Sequence, residues 1–302
     1  MTDPQASPRQ PASTARPHWG AEALWQALVP LLPGLSIEVV QTLDSTNSEL
    51  TERLRNASRV QKSPSERRGG RVDDLFPQLL VAIDQTAGRG RLGRRWHSTG
   101  GASLTFSLAL PLQRADWSGL SLAVGLAVVE ALDPHGTRLG LKWPNDLILC
   151  EAGAELADDK VPGPGRKLGG ILIESVAVGE QRAAVIGIGI NVLAQPVAEA
   201  DYGAVALAEL WPEATPQDAL ARIGEPLVRA LLAFERDGFA PLQQAYVRRD
   251  VLRGQVVRTT DRNMPEGVAG GVDADGALMV ASGGQTRRVI SGEVSVRLAG
   301  AA

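Results

Sequence analysis

Several short segments combine residue types that can handle an anion. The loop GRGRLGRRW (88–96) sets Gly88, Gly90 and Gly93 among Arg89, Arg91, Arg94 and Arg95, in a chain whose formal net charge is -3. Unpaired charges are costly to bury, so this loop needs water or an anionic partner. Its glycines let the backbone approach and wrap a ligand, and guanidinium forks grip carboxylate or phosphate bidentately. The expectation is a flexible loop that orders over an anion. A solvated basic turn and an Arg/Gly nucleic-acid contact are the alternatives. The GxxxxGK[ST] of a P-loop is absent, and the spacing is not GxGxxG opening a helix.

KWPNDL (142–147) places Lys142, Asn145 and Asp146 around a proline-stiffened turn. Asp146 suits Mg²⁺, which is held by one or two carboxylates plus substrate phosphates, and Asn145 suits a ribose or base, although Asn-Asp turns are commonplace. KLGGILIE (167–174) brings Lys167 to the entry of a strand in which Gly169 and Gly170 leave the backbone bare for a ligand or a bulge. IGIGINV (186–192) has glycine at alternate positions, so one face is bare for another backbone or a flat ligand, and Asn191 ends the strand. In DSTN (44–47), Thr46 and Glu49 have capping-box spacing. A helix start of this kind also offers free N–H groups to a polar or anionic ligand.

These segments need a scaffold. Strands are expected at 37–43, 78–84, 103–110, 138–143, 146–150, 167–178 and 182–193, and helices at 20–29, from the DSTN turn, and at 117–132, 216–236 and 239–249. The last two of these strands are continuously apolar, as in the centre of a sheet. Residues 58–72, within a stretch carrying seven Lys/Arg from 53 to 71, read as a solvated loop, and 151–166 as a mobile acidic extension. After Asp250 come short strands and glycine turns, the texture of a small β-barrel. Strands and helices mix without βαβ alternation, so the fold class is α+β.

Composition narrows the function. The 302 residues are 44% apolar and 22% charged, an ordinary globular balance, and net acidity excludes a general basic coat for nucleic acid. A lone Cys150 excludes a disulfide framework, and His18, His97 and His135 have no metal-ligand spacing. The first 18 residues, rich in Pro, Ser and Gln, read as a disordered leader without the apolar stretch of a secretion signal. The most apolar run, 120–132, contains Glu130 and reads as a buried helix, so a cytoplasmic protein is expected. Only Lys62, Lys142, Lys160 and Lys167 are lysines among 31 cations. In an Arg-rich chain, a retained Lys can mark a need for a compact point charge.

The succession DSTN, DQTAGRGRLGRRW, KWPNDL, KLGGILIE and IGIGIN, from about residue 37 to 193, resembles the catalytic domain of biotin–protein ligases, also called biotin–[acetyl-CoA-carboxylase] ligases. The resemblance implies a class II synthetase-like mixed sheet with packed helices over residues 19–250, and an SH3-like barrel over 251–302. It implies ATP and Mg²⁺ as cofactors, activation of biotin as biotinyl-5′-AMP, and transfer to one lysine of a biotin carboxyl carrier domain. By the same resemblance Ser45, Thr46, Asn47, Gln85, Gly88, Arg89, Gly90, Arg91, Lys167, Gly169 and Gly170 bind biotin. Arg91, Arg94, Trp96, Lys142, Asn145, Asp146 and Asn191 serve ATP, with Asp146 positioning Mg²⁺. Lys167 and Arg89 are the expected catalytic pair, countering charge on the reacting carboxylate and α-phosphate.

Some family members carry an N-terminal winged helix that binds DNA. Only about 36 residues precede the first expected strand here, against the roughly 60 of a small independent domain, so a ligase without DNA as partner is expected. No membrane partner is expected, and a sheet edge could pair two copies as a homodimer. A lipoate ligase of the same fold and a nucleic-acid module using the Arg/Gly loop are the competing readings.

Overall fold

The computed structural model describes residues 19–60, 75–151, 165–194, 205–260, 265–290 and 296–298. The expected leader (1–18), the loop from 61 to 72 and the acidic extension from 152 to 164 lie outside these residues.

A seven-stranded sheet organises the chain. Its strands are β1 (Ser36–Leu43), β2 (Gln78–Gln85), β3 (Ser103–Pro111), β4 (Leu139–Lys142), β5 (Asp146–Leu149), β6 (Arg166–Val178) and β7 (Gln181–Asn191), in the order β1-β2-β3-β7-β6-β5-β4. Only β1 and β2 run parallel; every other neighbouring pair is antiparallel. The helices are α1 (Ala21–Leu28), α2 (Thr46–Val60), α3 (Leu120–Leu132), α4 (Pro216–Asp237) and α5 (Gln243–Val247). The α+β expectation holds, with β7 at the middle of the sheet.

Alternation of side chains along each strand gives the sheet two unlike faces. On one face Leu104, Phe106 and Leu108 of β3 and Ile186, Ile188 and Ile190 of β7 join the main core, with α3 and α4 packed over them. Helix α3 is apolar apart from Ser121 and the exposed Glu130, and ten of its residues are buried, as befits a helix enclosed over most of its circumference. On the other face the alternate residues are Ser103, Thr105 and Ser107 on β3, and Gly187, Gly189 and Asn191 on β7. Helix α2 covers only part of this second face. Its Leu50 and Leu54, one turn apart, pack on Leu80, Ala109, Val176 and Val185, each buried leucine contributing roughly 2 kcal/mol. Beyond that patch the face is polar and partly open.

Three local expectations are corrected. Helix α2 continues to Val60, so 58–60 are helical rather than loop. The cap is Ser45, whose Oγ accepts from Ser48 N at 3.4 Å, while Thr46 is already in the helix and Glu49 pairs with Arg53 at 2.7 Å. Residues 239–249 form a 3₁₀ turn (Ala240–Leu242) and the short α5, not one helix.

The C-terminal strands β8 (Val256–Thr259), β9 (Glu266–Val272), β10 (Leu278–Ser282), β11 (Gln285–Val289) and β12 (Val296–Leu298) form an antiparallel sheet in the order β11-β10-β9-β8-β12. Among the described residues no pairing of β11 with β12 closes it, so the expected barrel is an open sheet here. It is docked firmly: Trp143 Nε1 donates to Gly276 O at 3.0 Å, and Gln243 Nε2 to Val272 O at 2.7 Å. Leu141 and Asp250 form a parallel bridge between β4 and the approach to β8. One apolar cluster runs through both sheets.

Candidate active site

The polar face of the large sheet holds two clusters. The first forms where α2 begins. Capping by Ser45 and burial of Leu50 and Leu54 fix the helix start, and Asn47 sits above β7 where Gly187 has no side chain. A Cβ on Gly187 would stand 2.2 Å from Asn47 Oδ1. Asn47 Nδ2 donates to Leu172 O (3.1 Å) and Glu174 Oε2 (3.0 Å), and Ser107 Oγ donates to Asn47 Oδ1 at 2.6 Å. Ser107 Oγ also lies 2.7 Å from Thr46 Oγ1. Gln85, ending β2, accepts from Thr46 N at 2.8 Å and Thr46 Oγ1 at 3.2 Å. Thus Ser45, Thr46, Asn47 and Gln85 come together, all but Gln85 buried.

The second cluster lies where β4, β5 and β6 meet. Register pairs Lys142 with Asp146 and Asp146 with Gly170. Lys167 Nζ is 2.6 Å from Asp146 Oδ1, and Lys142 Nζ is 3.7 Å from Asp146 Oδ2. Burial would raise the Asp146 pKa, but the ammonium groups of Lys167 and Lys142, with Arg94 nearby, outweigh it and hold the carboxyl below its ordinary range. Lys142 is pulled down by burial first, with Asp146 opposing and Lys167 and Arg94 adding to the fall. Asn145 is clamped to β6: its Nδ2 donates to Ile171 O at 2.8 Å, and its carbonyl accepts from Ile171 N at 3.0 Å. Gly170 faces this pair, its missing Cβ position 3.5 Å from Lys167 Nζ. Gly169 serves the scaffold instead, since a Cβ there would meet Gly189 O at 2.4 Å.

The arginine loop spans the two clusters. Expected as a loop that orders over an anion, it is folded as a hairpin, with Gly90 N donating to Arg94 O (2.8 Å) and Trp96 N to Gly88 O (2.9 Å). The physical reason is that its guanidinium groups find protein acceptors. Arg89 pairs with Glu174 at 3.0 Å, Arg91 Nη1 donates to Asn145 Oδ1 at 3.4 Å, and Arg95 Nη2 to Thr86 O at 2.7 Å. Burial lowers the pKa of Arg91, with Asp146 opposing and Arg94 reinforcing. Gly88 is set by the hairpin itself, since a Cβ would meet Trp96 O at 2.5 Å. The Trp96 ring lies against Gly189, and its Nε1 is buried without a protein partner. Asn191 is buried on the same strand face as Gly187 and Gly189. The bare face of β7 therefore receives Asn47 and Trp96 of the same chain.

Asp146, expected to position a metal, turns both oxygens toward ammonium groups. Among the described residues no group of three His, Cys, Asp or Glu gathers to hold a metal ion. Ser107 and Glu174 were missed by motif reading. Both had a signal: polar residues at alternate positions 103, 105 and 107 of SLTFSLAL, and one carboxylate inside an apolar strand. No helix among the described residues is long and apolar enough to cross a membrane.

Comparison with known proteins agrees over most of the chain. The Biotin/lipoate A/B protein ligase family matches residues 59–191, and the Biotin protein ligase C terminal domain matches 255–297. The bifunctional ligase/repressor BirA of Escherichia coli is 31% identical over 276 residues, 89% of this chain and 76% of that protein. The biotin--[acetyl-CoA-carboxylase] ligase of Mycobacterium tuberculosis is 31% identical over 270 residues, 85% of this chain and 88% of that protein. The Aquifex aeolicus biotin protein ligase in complex with biotin and ATP superposes with a TM-score of 0.66 at 25% identity, covering 87% of this chain and 99% of that one.

Proposed function

Because this chain belongs to the biotin/lipoate A/B protein ligase family, we propose that it joins biotin to ATP and then passes the biotinyl group to a lysine of a biotin carboxyl carrier domain. The single observation that carries the residue assignment is the spacing of the two clusters. Glu174 and Gly170 lie on the same face of β6, four residues apart, which at about 3.3 Å per residue is ~13 Å. The hairpin crosses that distance with Arg89 at one end and Arg91 at the other. An elongated acyl-nucleotide with a neutral polar head and a charged centre fits such a track.

In this reading the neutral cluster of Ser45, Thr46, Asn47 and Gln85 takes the ureido head, and the biotin carboxylate reaches Lys167. Attack of that carboxylate on the α-phosphate forms the acyl phosphate bond, and pyrophosphate leaves. Negative charge builds at the α-phosphate, so placement and fixed positive charge supply most of the rate. Asp146 keeps Lys167 oriented, Lys142 and Arg94 add to the positive field, and Arg91 sits at the same end. Trp96, Asn145 and Asn191 frame the nucleotide. ATP arrives with Mg²⁺ carried mainly by its phosphates, since Asp146 is already engaged by lysines. In the second step the carrier lysine amine attacks the acyl carbon and AMP leaves; the nucleophile belongs to the partner.

We place the catalytic unit at 19–250 and the accessory unit at 251–302, acting in the cytoplasm without DNA as a partner, with the exposed edge of β1 available to a second copy. The deciding experiment incubates the protein with biotin, Mg-ATP and a carrier domain and weighs the carrier. Gain of one biotinyl group is expected; an unchanged mass overturns the proposal. Lipoate-driven, biotin-independent ATP–pyrophosphate exchange would reassign the substrate.

A further inference from the structure

We infer that Glu174 is a positioning residue, the clasp that fastens the arginine hairpin to the floor of the site. The inference rests on the proposed function for its role in catalysis, but the clasp itself stands on geometry. A carboxylate only accepts hydrogen bonds, and this one serves two elements. Its Oε2 accepts from Asn47 Nδ2 at 3.0 Å and from Arg89 Nη1 at 3.3 Å, and its Oε1 accepts from Arg89 Nη2 at 3.0 Å. Arg89 Nη1 also donates to Ser48 Oγ at 3.3 Å. One side chain of β6 thereby ties the start of α2 to the hairpin.

Placement suits the task. The Arg89 side chain is 48% exposed and that of Glu174 25%, so the contact sits at the rim, where ion pairs are modest though bidentate geometry strengthens them. A clasp of that strength holds the hairpin closed and still lets it open. The same carboxylate fixes the rotamer of Asn47, buried beside the proposed head-group pocket. Its loss frees both the floor and the lid at the end of the track farthest from Lys167, so the effect falls on retention of the bound acyl-nucleotide more than on its formation.

The test uses the full chain and Glu174→Gln, which keeps the size and an acceptor for Asn47 but removes the charge facing Arg89. Without substrates, trypsin should cut after Arg91, Arg94 and Arg95 about fivefold faster than in the wild type, the scale of a rim ion pair. With biotin and Mg-ATP, release of biotinyl-5′-AMP should accelerate by about the same factor, and KM for biotin should rise while kcat for adenylate formation changes less. Arg89→Met should open the hairpin to a similar degree, and adding Glu174→Gln to it should have little further effect. Unchanged cleavage in Glu174→Gln, or additive effects in the double variant, overturns the clasp. Should Glu174→Gln fail to fold, cleavage of Arg89→Met, whose altered side chain is half exposed, decides the same contact. If the wild type forms no adenylate with biotin, the proposed function falls, and the protease arm still judges the clasp.

Discussion

Trp96 rests on the bare backbone of Gly189: a Cβ at Gly189 would stand 2.5 Å from Cε2 and 2.7 Å from Cζ2 of the indole. A loop residue and a central strand are thereby fitted to each other, and the strand glycine sets how close the hairpin can lie to the sheet.

Gly189→Ala should lift the indole and loosen the hairpin, costing ~1–3 kcal/mol of local packing. Trypsin cleavage at 91–95 should rise and KM for ATP should increase, because the strain falls on the seating of the hairpin while the core face of β7 is untouched. Wild-type cleavage kinetics would contradict the seating of Trp96.

Lys167→Ala should slow adenylate formation by about 10²–10³, the scale for removing one fixed donor from a developing charge, with the fold retained. Lys167→Arg should restore little, because a planar fork does not replace a point charge 2.6 Å from Asp146 Oδ1. Pyrophosphate exchange measures both. Near-wild-type exchange in Lys167→Ala would remove the residue from the reacting centre.

Asp250 should give the fold a pH dependence. Burial raises its pKa to about 7, against weaker lowering by the Leu252 N–H and by Arg253, and its Oδ2 has no partner. Tyr246, also buried and raised in pKa by burial and then by Asp250, faces the same junction. The folded state therefore holds a proton that the unfolded chain releases near the ordinary carboxylate value of 3.8. The contribution is full below that value, declines as pH rises toward about 7, and is lost above it. Relative to Asp250→Asn, wild-type melting temperature should fall between about pH 4 and pH 7 and level off beyond. A constant difference across that window would contradict this.

Arg249→Met should be the most damaging single change at the join of the two sheets. Arg249 Nη1 donates to Asp133 Oδ2 at 3.1 Å and Leu139 O at 3.0 Å, and Nη2 to Asp133 O at 2.7 Å, with both side chains buried. Removing one partner strands the other charge, a loss of ~3–5 kcal/mol. Denaturant unfolding measures it, and a shift below 1 kcal/mol, within about the surface-substitution range, would show the pair to be dispensable.

Local chemistry was legible in the chain. Order and type of the strands, the grouping of Lys142, Asn145 and Asp146 around one turn, and the alternating glycines of 186–192 all follow from spacing within a few residues, because strand period and turn chemistry are short-range effects. Contacts between distant segments were not. That Asn47 and Trp96 fill the face bared by Gly187 and Gly189, that Asp146 spends both oxygens on lysines, and that Glu174 meets Arg89 across 85 positions depend on sheet order β3-β7-β6-β5. Register places residues far apart in sequence opposite one another, and no local pattern encodes which strand will be the neighbour. The arginine loop shows the difference most sharply: its composition signals affinity for anions, but its closed hairpin exists because the folded sheet brings acceptors of its own to Arg89, Arg91 and Arg95.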